Sequence, residues 1–96
     1  MELTSKQRAV LRGYANQLEV VLYIGKSGIT PTVLKQANDA LAAREMIKCK
    51  VQDNCGFSAR EAAENLAEAA ECQVVQVIGS RFILYKQKKK DPIYEI

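Results

Sequence analysis

The residues whose types and spacing could do chemistry are Gly25-Lys26-Ser27-Gly28. Two glycines allow positive φ and leave no Cβ to hold a ligand away, so loop amides can approach a phosphate closely. Lys26 adds a full positive charge and Ser27 a hydroxyl. The tetrapeptide follows the run Val20-Val21-Leu22-Tyr23-Ile24, which is short, β-branched and aromatic and predicts a strand with both faces at least partly covered. It precedes Thr30-Pro31, an N-cap followed by the residue best suited to a first helical position. A strand, an amide-rich loop and the positive end of a helix dipole together form a seat for an anion. Glycine-containing strand-to-helix turns also occur without any ligand, so the four residues alone leave both readings open. A nucleotide-hydrolysing phosphate loop is excluded, because it needs a glycine where Val20 stands inside the strand.

Other chemistries find little support. The chain has no histidine, and its three cysteines, Cys49, Cys55 and Cys72, contain no C-x-x-C pair. Most zinc patterns and most general acid/base schemes at neutral pH are thereby removed, and no carboxylate pair accompanies the glycine loop. The expectation is a non-catalytic protein with no cofactor, no metal and no small-molecule substrate. Cys49 and Cys72 read as small buried hydrophobes. No apolar run approaches the roughly 18 residues that cross a bilayer, and the N-terminus lacks an apolar secretory region; a cytoplasmic protein without a membrane partner is expected.

Charge is distributed unevenly along the 96 residues. Residues 1–50 hold eight Lys/Arg against four Asp/Glu, residues 51–80 one against five, and residues 81–96 five against two. A polyanion would be attracted to one region and repelled by another, which confers orientation as well as affinity.

The elements that must position the loop follow from periodicity and caps. Thr4-Ser5-Lys6-Gln7 is a capping box opening a helix to about Asn16, with Leu3, Gln7, Val10, Leu11 and Tyr14 on one face. Arg8 and Arg12 stack on its flank, either as a solvated basic edge or as nucleic-acid contacts. A second helix, about Pro31 to Ala43, places Val33, Leu34, Ala37, Ala40 and Leu41 inward. Met46 to Gln52 alternates, with Ile47, Cys49 and Val51 on one face and Lys48 and Lys50 on the other, wetter one. Strand, helix and strand form a βαβ unit with parallel strands.

Ser58-Ala59-Arg60-Glu61 is a second capping box, opening a helix to about Glu71. Its inner face is Ala59, Ala62, Ala63, Leu66, Ala69 and Ala70, while Glu61, Glu64, Glu68 and Glu71 fall together on the opposite side. That acidic stripe is either a solvated exterior or a face for a basic protein. Cys72 to Ile78 predicts a third strand, and Gly79-Ser80 a type II′ turn pairing Ile78 with Arg81 in a fourth. With three strands parallel, their C-terminal ends share one edge, which gathers the glycine loop, the turn at 53–57 and Arg81. Arg81 is either a ligand contact there or an ordinary hairpin charge. Tyr23 and Tyr85 are expected in the core rather than as platforms for bases. Residues 87–96, with Lys88, Lys89, Lys90 and Pro92, are expected to form a basic, flexible tail behind a domain of residues 1–86.

Four segments together resemble the CRM domain (chloroplast RNA splicing and ribosome maturation), in particular its stand-alone bacterial YhbY-like members. They are Leu11-Arg12-Gly13-Tyr14-Ala15-Asn16, Ile24 to Thr30, Glu45 to Lys50, and Val75 to Gly79 with Leu84-Tyr85-Lys86. Asn16 stands where the family motif ends in histidine, so no role is carried over to that side chain. The resemblance implies a compact two-layer α/β (α+β) domain of order α-β-α-β-α-β-β with a four-stranded mixed sheet, similar to the C-terminal domain of translation initiation factor three. It further implies binding of structured ribosomal RNA through the GxxG loop and a basic surface, in assembly of the large ribosomal subunit. The expected RNA contacts are Gly25, Lys26, Ser27 and Gly28, with Arg8, Arg12, Lys48, Lys50 and Arg81 as an outer ring. The alternative is a protein-interaction module of a ribosome-associated complex.

Overall fold

A computed structural model describes residues 2–53, 55–94 and 96. Seven elements follow in the expected order: α1 (Ser5–Ala15), β1 (Val20–Ile24), α2 (Pro31–Arg44), β2 (Met46–Val51), α3 (Ala59–Ala70), β3 (Gln73–Ile78) and β4 (Arg81–Tyr85). Each helix begins at a side-chain cap that takes an otherwise unpaired amide. Thr4 Oγ1 accepts from Gln7 N at 3.1 Å and Gln7 Oε1 accepts from Thr4 N at 3.0 Å. Ser58 and Glu61 repeat this reciprocal pair at α3, and Thr30 caps α2 ahead of Pro31.

The strands form one mixed sheet of order β1-β2-β4-β3. β1 and β2 are parallel, and β4 runs antiparallel to both of its neighbours, β2 and β3. The first three strands therefore point the same way, and β4 is inserted between the second and third. Gly79 has φ +57° while Ser80 does not share a positive φ, the combination of a type II′ turn, and Ile78 pairs with Arg81.

Helices α2 and α3 cover one face of the sheet. Leu22, Ile24, Ile47, Cys49, Val51, Phe82 and Leu84 meet Ala37, Leu41 and the alanines of α3 in one continuous core. Small side chains on α3 allow it to lie close to the strands. The two-layer expectation holds for this side. On the other face α1 adds a partial third layer, with Leu3, Leu11 and Ala15 packed on Met46, Val75, Ile83 and Tyr85.

Several local expectations need correction. The buried side of α1 is Leu11 and Ala15, whereas Val10 and Tyr14 are exposed, because the helix is rolled toward β3 and β2. On α3, Ala67 is buried in place of Ala69. β1 is an edge strand whose Val21 and Tyr23 face solvent, so only one of its faces is covered. Tyr85 is in the core as expected, but Tyr23 is not.

Of the segment 87–96, expected as a flexible tail, Lys88, Ile93, Tyr94 and Ile96 are held against the domain. The buried Glu45 carboxylate accepts the amides of Lys88 (3.1 Å), Ile93 (3.1 Å) and Tyr94 (3.0 Å), and the Glu45 carbonyl accepts from Lys86 N at 2.8 Å. The Tyr94 ring lies 5.2 Å from that of Tyr14 and 6.5 Å from that of Tyr85. Charge composition suggested disorder, but a single buried carboxylate satisfies three donors and anchors an aromatic ring.

Candidate nucleic-acid interface

The glycine loop is held from below and open above. Ile24 O accepts from Gln52 N at 2.9 Å, tying the end of β1 to the exit of β2. Gly25 O accepts from Gly28 N at 3.0 Å and Gly28 O from Thr30 N at 3.1 Å, so the chain folds into two successive tight turns. Gly28 sits at φ +69°, a conformation that disfavours any side chain, although a Cβ there would meet only the Phe57 ring at an ordinary contact distance of 3.8 Å. Lys26 and Ser27 form the exposed tip and take part in none of these bonds.

Two helix N-termini reach this edge, and they differ electrically. The first turn of α2, directly after the loop, contains no acidic residue. In α3 the Glu61 carboxylate occupies the Ser58 amide at 3.1 Å, and Asp53 and Glu61 line the shallow depression beside it. An anion is therefore favoured at the α2 end and opposed at the α3 end.

The nine residues expected to bind RNA do not form one patch. Gly25, Lys26, Ser27 and Gly28 make the tip. Lys50 pairs with both Tyr23 of β1 and Arg81 of β4, one row in from the edge, so Lys50 and Arg81 lie immediately behind the loop. Lys48, one row further in, places its Nζ 3.5 Å from Leu18 O. Arg12 stands in the last turn of α1, whose end at Ala15 and Asn16 adjoins Lys48 and Arg81 around a common cavity. Arg8 is remote: its Nε donates to Val74 O at 3.4 Å, near the start of β3. That is the opposite end of the sheet, and three strand spacings, roughly 14 Å, separate β3 from β1.

The sequence reading placed Tyr23 in the core, carried no role over to Asn16 and passed over Gln76 and Ile78; Tyr23, Gln76 and Ile78 lie on the bare part of the sheet, and Asn16 caps the end of α1 beside it. Counting back from the two-residue turn places Ile78 opposite Arg81, but strand order is needed to bring Tyr23 and Lys50 into the same row.

Reactive groups are quiet. Burial pushes the Cys49 thiol up to about 12, with Cys72 adding to the shift, and the Cys72 thiol up to about 11 against a smaller opposing pull from Lys86. Both are protonated, poor nucleophiles at neutral pH. Among the described residues no three His, Cys, Asp or Glu side chains gather as a metal site, and no helix is long and apolar enough to cross a membrane.

The profile of the CRS1 / YhbY (CRM) domain matches residues 3–86. The chain is 38% identical over 94 residues to a Bacillus subtilis protein named probable RNA-binding protein YqeI, covering 98% of each. It is 34% identical over 90 residues to a Methanocaldococcus jannaschii protein, also named a probable RNA-binding protein, covering 92% of this chain and 66% of that one. The solution structure of a Staphylococcus aureus protein, described as hypothetical and as a candidate RNA binder, superposes with a TM-score of 0.84 at 40% identity, covering 99% of both chains.

Proposed function

The chain belongs to the CRS1 / YhbY (CRM) domain family, and from that premise we propose that it is a non-catalytic, cytoplasmic binder of structured RNA. The RNA is ribosomal, and the setting is assembly of the large subunit. Lys26 and Ser27 contact phosphate or ribose directly, and the loop amides with the α2 N-terminus hold the backbone. Lys48, Lys50, Arg81 and Arg12 supply attraction behind the tip, whereas Arg8 contributes weakly because of its position. The observation that carries this reading is the exposed Lys26-Ser27 tip beside a helix start free of acidic residues. The names of the relatives support RNA as the ligand.

Titration of the chain with a ribosomal RNA fragment at several salt concentrations tests it. The logarithm of the affinity should fall linearly with that of salt, with a slope of about −0.7 to −0.9 per neutralised phosphate. Lys26→Glu should weaken binding about tenfold or more, since it removes a charge-assisted bond and adds repulsion. Its melting temperature should stay that of the parent, because the side chain is exposed. Unaltered affinity in Lys26→Glu would remove the loop from the interface.

A further inference from the structure

Helix α1 leaves part of its sheet face bare, and one row there crosses all four strands. Tyr23 pairs with Lys50, Lys50 with Arg81, and Arg81 with Ile78. Paired residues project to the same side. Here that side is opposite α2 and α3, because the adjacent Ile24, Val51 and Phe82 enter the core beneath those helices. Tyr23 is 54% exposed and Ile78 60% exposed, large values for an aromatic and a branched aliphatic residue on a sheet.

The next row inward sets Lys48 and Gln76 on either side of Ile83. Between the two rows and the end of α1 lies a cavity of about 230 Å³, lined by Ala15, Asn16, Lys48, Gln76, Ile78 and Arg81 among others. It is smaller than the roughly 300 Å³ at which cofactor and drug-sized sites begin. Its chemistry is mixed. Ile78 and Ile83 offer apolar surface, Asn16 and Gln76 carry amides that both donate and accept, and Lys48 and Arg81 bring two cations without an acidic residue in the lining. An apolar side chain of a protein partner would bury these groups unpaired, at a cost. A heteroaromatic ring attached to a phosphate satisfies all three kinds of group.

We propose that the bare row and this cavity form a subsite for unpaired nucleotides. One base stacks on Tyr23, another enters the cavity against Ile78 with its edge toward Asn16 and Gln76, and Lys50 and Arg81 between them hold the connecting phosphate. Three strand spacings separate Tyr23 from Ile78, roughly 14 Å, a length that a few unstacked nucleotides span. The subsite rests on the RNA-binding reading and extends it: the bound RNA presents a single-stranded stretch next to the structured part gripped by the loop.

The test uses the full chain with two RNAs, a blunt stem-loop and the same stem-loop with four unpaired nucleotides added to each strand end. The forked RNA should bind roughly tenfold more tightly, a gain typical of stacking a base on an aromatic ring. Tyr23→Ala should abolish that gain and leave blunt-stem affinity within about twofold, whereas Tyr23→Phe, which keeps the ring, should retain it. Blunt-stem binding without a forked gain, or a gain that survives Tyr23→Ala, overturns the subsite, spares the loop reading and assigns the bare row to a protein partner. Binding of neither RNA overturns both.

Discussion

The two ends of the sheet solve the same backbone problem with opposite residues. At the end where β1, β2 and β3 finish, positive φ is supplied by glycines: Gly28 at +69°, Gly56 at +80° and Gly79 at +57°. At the other end, where α2 and α3 turn back into strands, it is supplied by glutamates, Glu45 at +67° and Glu71 at +55°. A non-glycine residue in that region costs about 1–2 kcal/mol. The far end recovers this at Glu45, whose side chain takes three amides and whose carbonyl takes a fourth. The difference teaches where the fold keeps its backbone bare. Glycines leave the loop end without side chains to obstruct a ligand, while the glutamate end is closed by its own C-terminal segment.

The contrast breaks most visibly at Glu45. Glu45→Ala should lower unfolding stability by about 3 kcal/mol or more, because each of three donors left unpaired costs about 1–3 kcal/mol. RNA affinity measured well below the melting temperature should stay within twofold, since the loop lies at the other end of the sheet. A loss under about 1 kcal/mol in urea unfolding would mean that the segment 87–96 is not held by this carboxylate.

Alkaline pH should act next. Burial and the neighbouring Glu45 carboxylate push the Tyr85 phenol up to about 12, and the Cys49 and Cys72 thiols are raised as well, to about 12 and about 11. All three favour the protonated form in the folded chain. Their contribution is complete below their ordinary values of 9–10 and is lost as pH climbs through 11–12. Stability should fall by about 1.4 kcal/mol per pH unit for each group within its window. Tyr85→Phe should flatten the upper part of this slope. Its hydroxyl is buried without a partner at hydrogen-bond distance, so at neutral pH the change should be neutral or slightly stabilising.

At the loop end, Gly28→Val should cost about 1–2 kcal/mol from the backbone and weaken RNA binding by shifting the tip. Gly28→Val with unchanged RNA affinity would show that the turn's shape is irrelevant to binding. The smallest effect is expected at Arg8. Arg8→Ala should change RNA affinity less than twofold, whereas Arg81→Ala should weaken it by several fold. Equal effects of the two would mean that the RNA wraps α1 as well as the loop edge.

Much of this architecture was legible because it rests on local signals. Capping boxes at Thr4 and Ser58, the Thr30-Pro31 start, the alternation through Ile47, Cys49 and Val51 and the Gly79-Ser80 turn each act over a few residues. The candidate site was only half legible. The loop could be read from four residues, but the ring of cations could not be sorted, because proximity to the loop depends on strand order and on where α1 lies.

By itself the sequence determined the seven elements, their order, the parallel β1–β2 pair, the buried face of α2 and the glycine turn with its lysine. Tertiary structure alone decided that Tyr23, Lys50, Arg81 and Ile78 share a row, that Arg8 stands apart and that Glu45 takes the amides of Lys88, Ile93 and Tyr94. The physical reason is range. Caps, turns and periodicity are set by neighbours a few bonds apart, whereas a row across four strands and a carboxylate meeting amides more than forty residues away exist only once the sheet has closed.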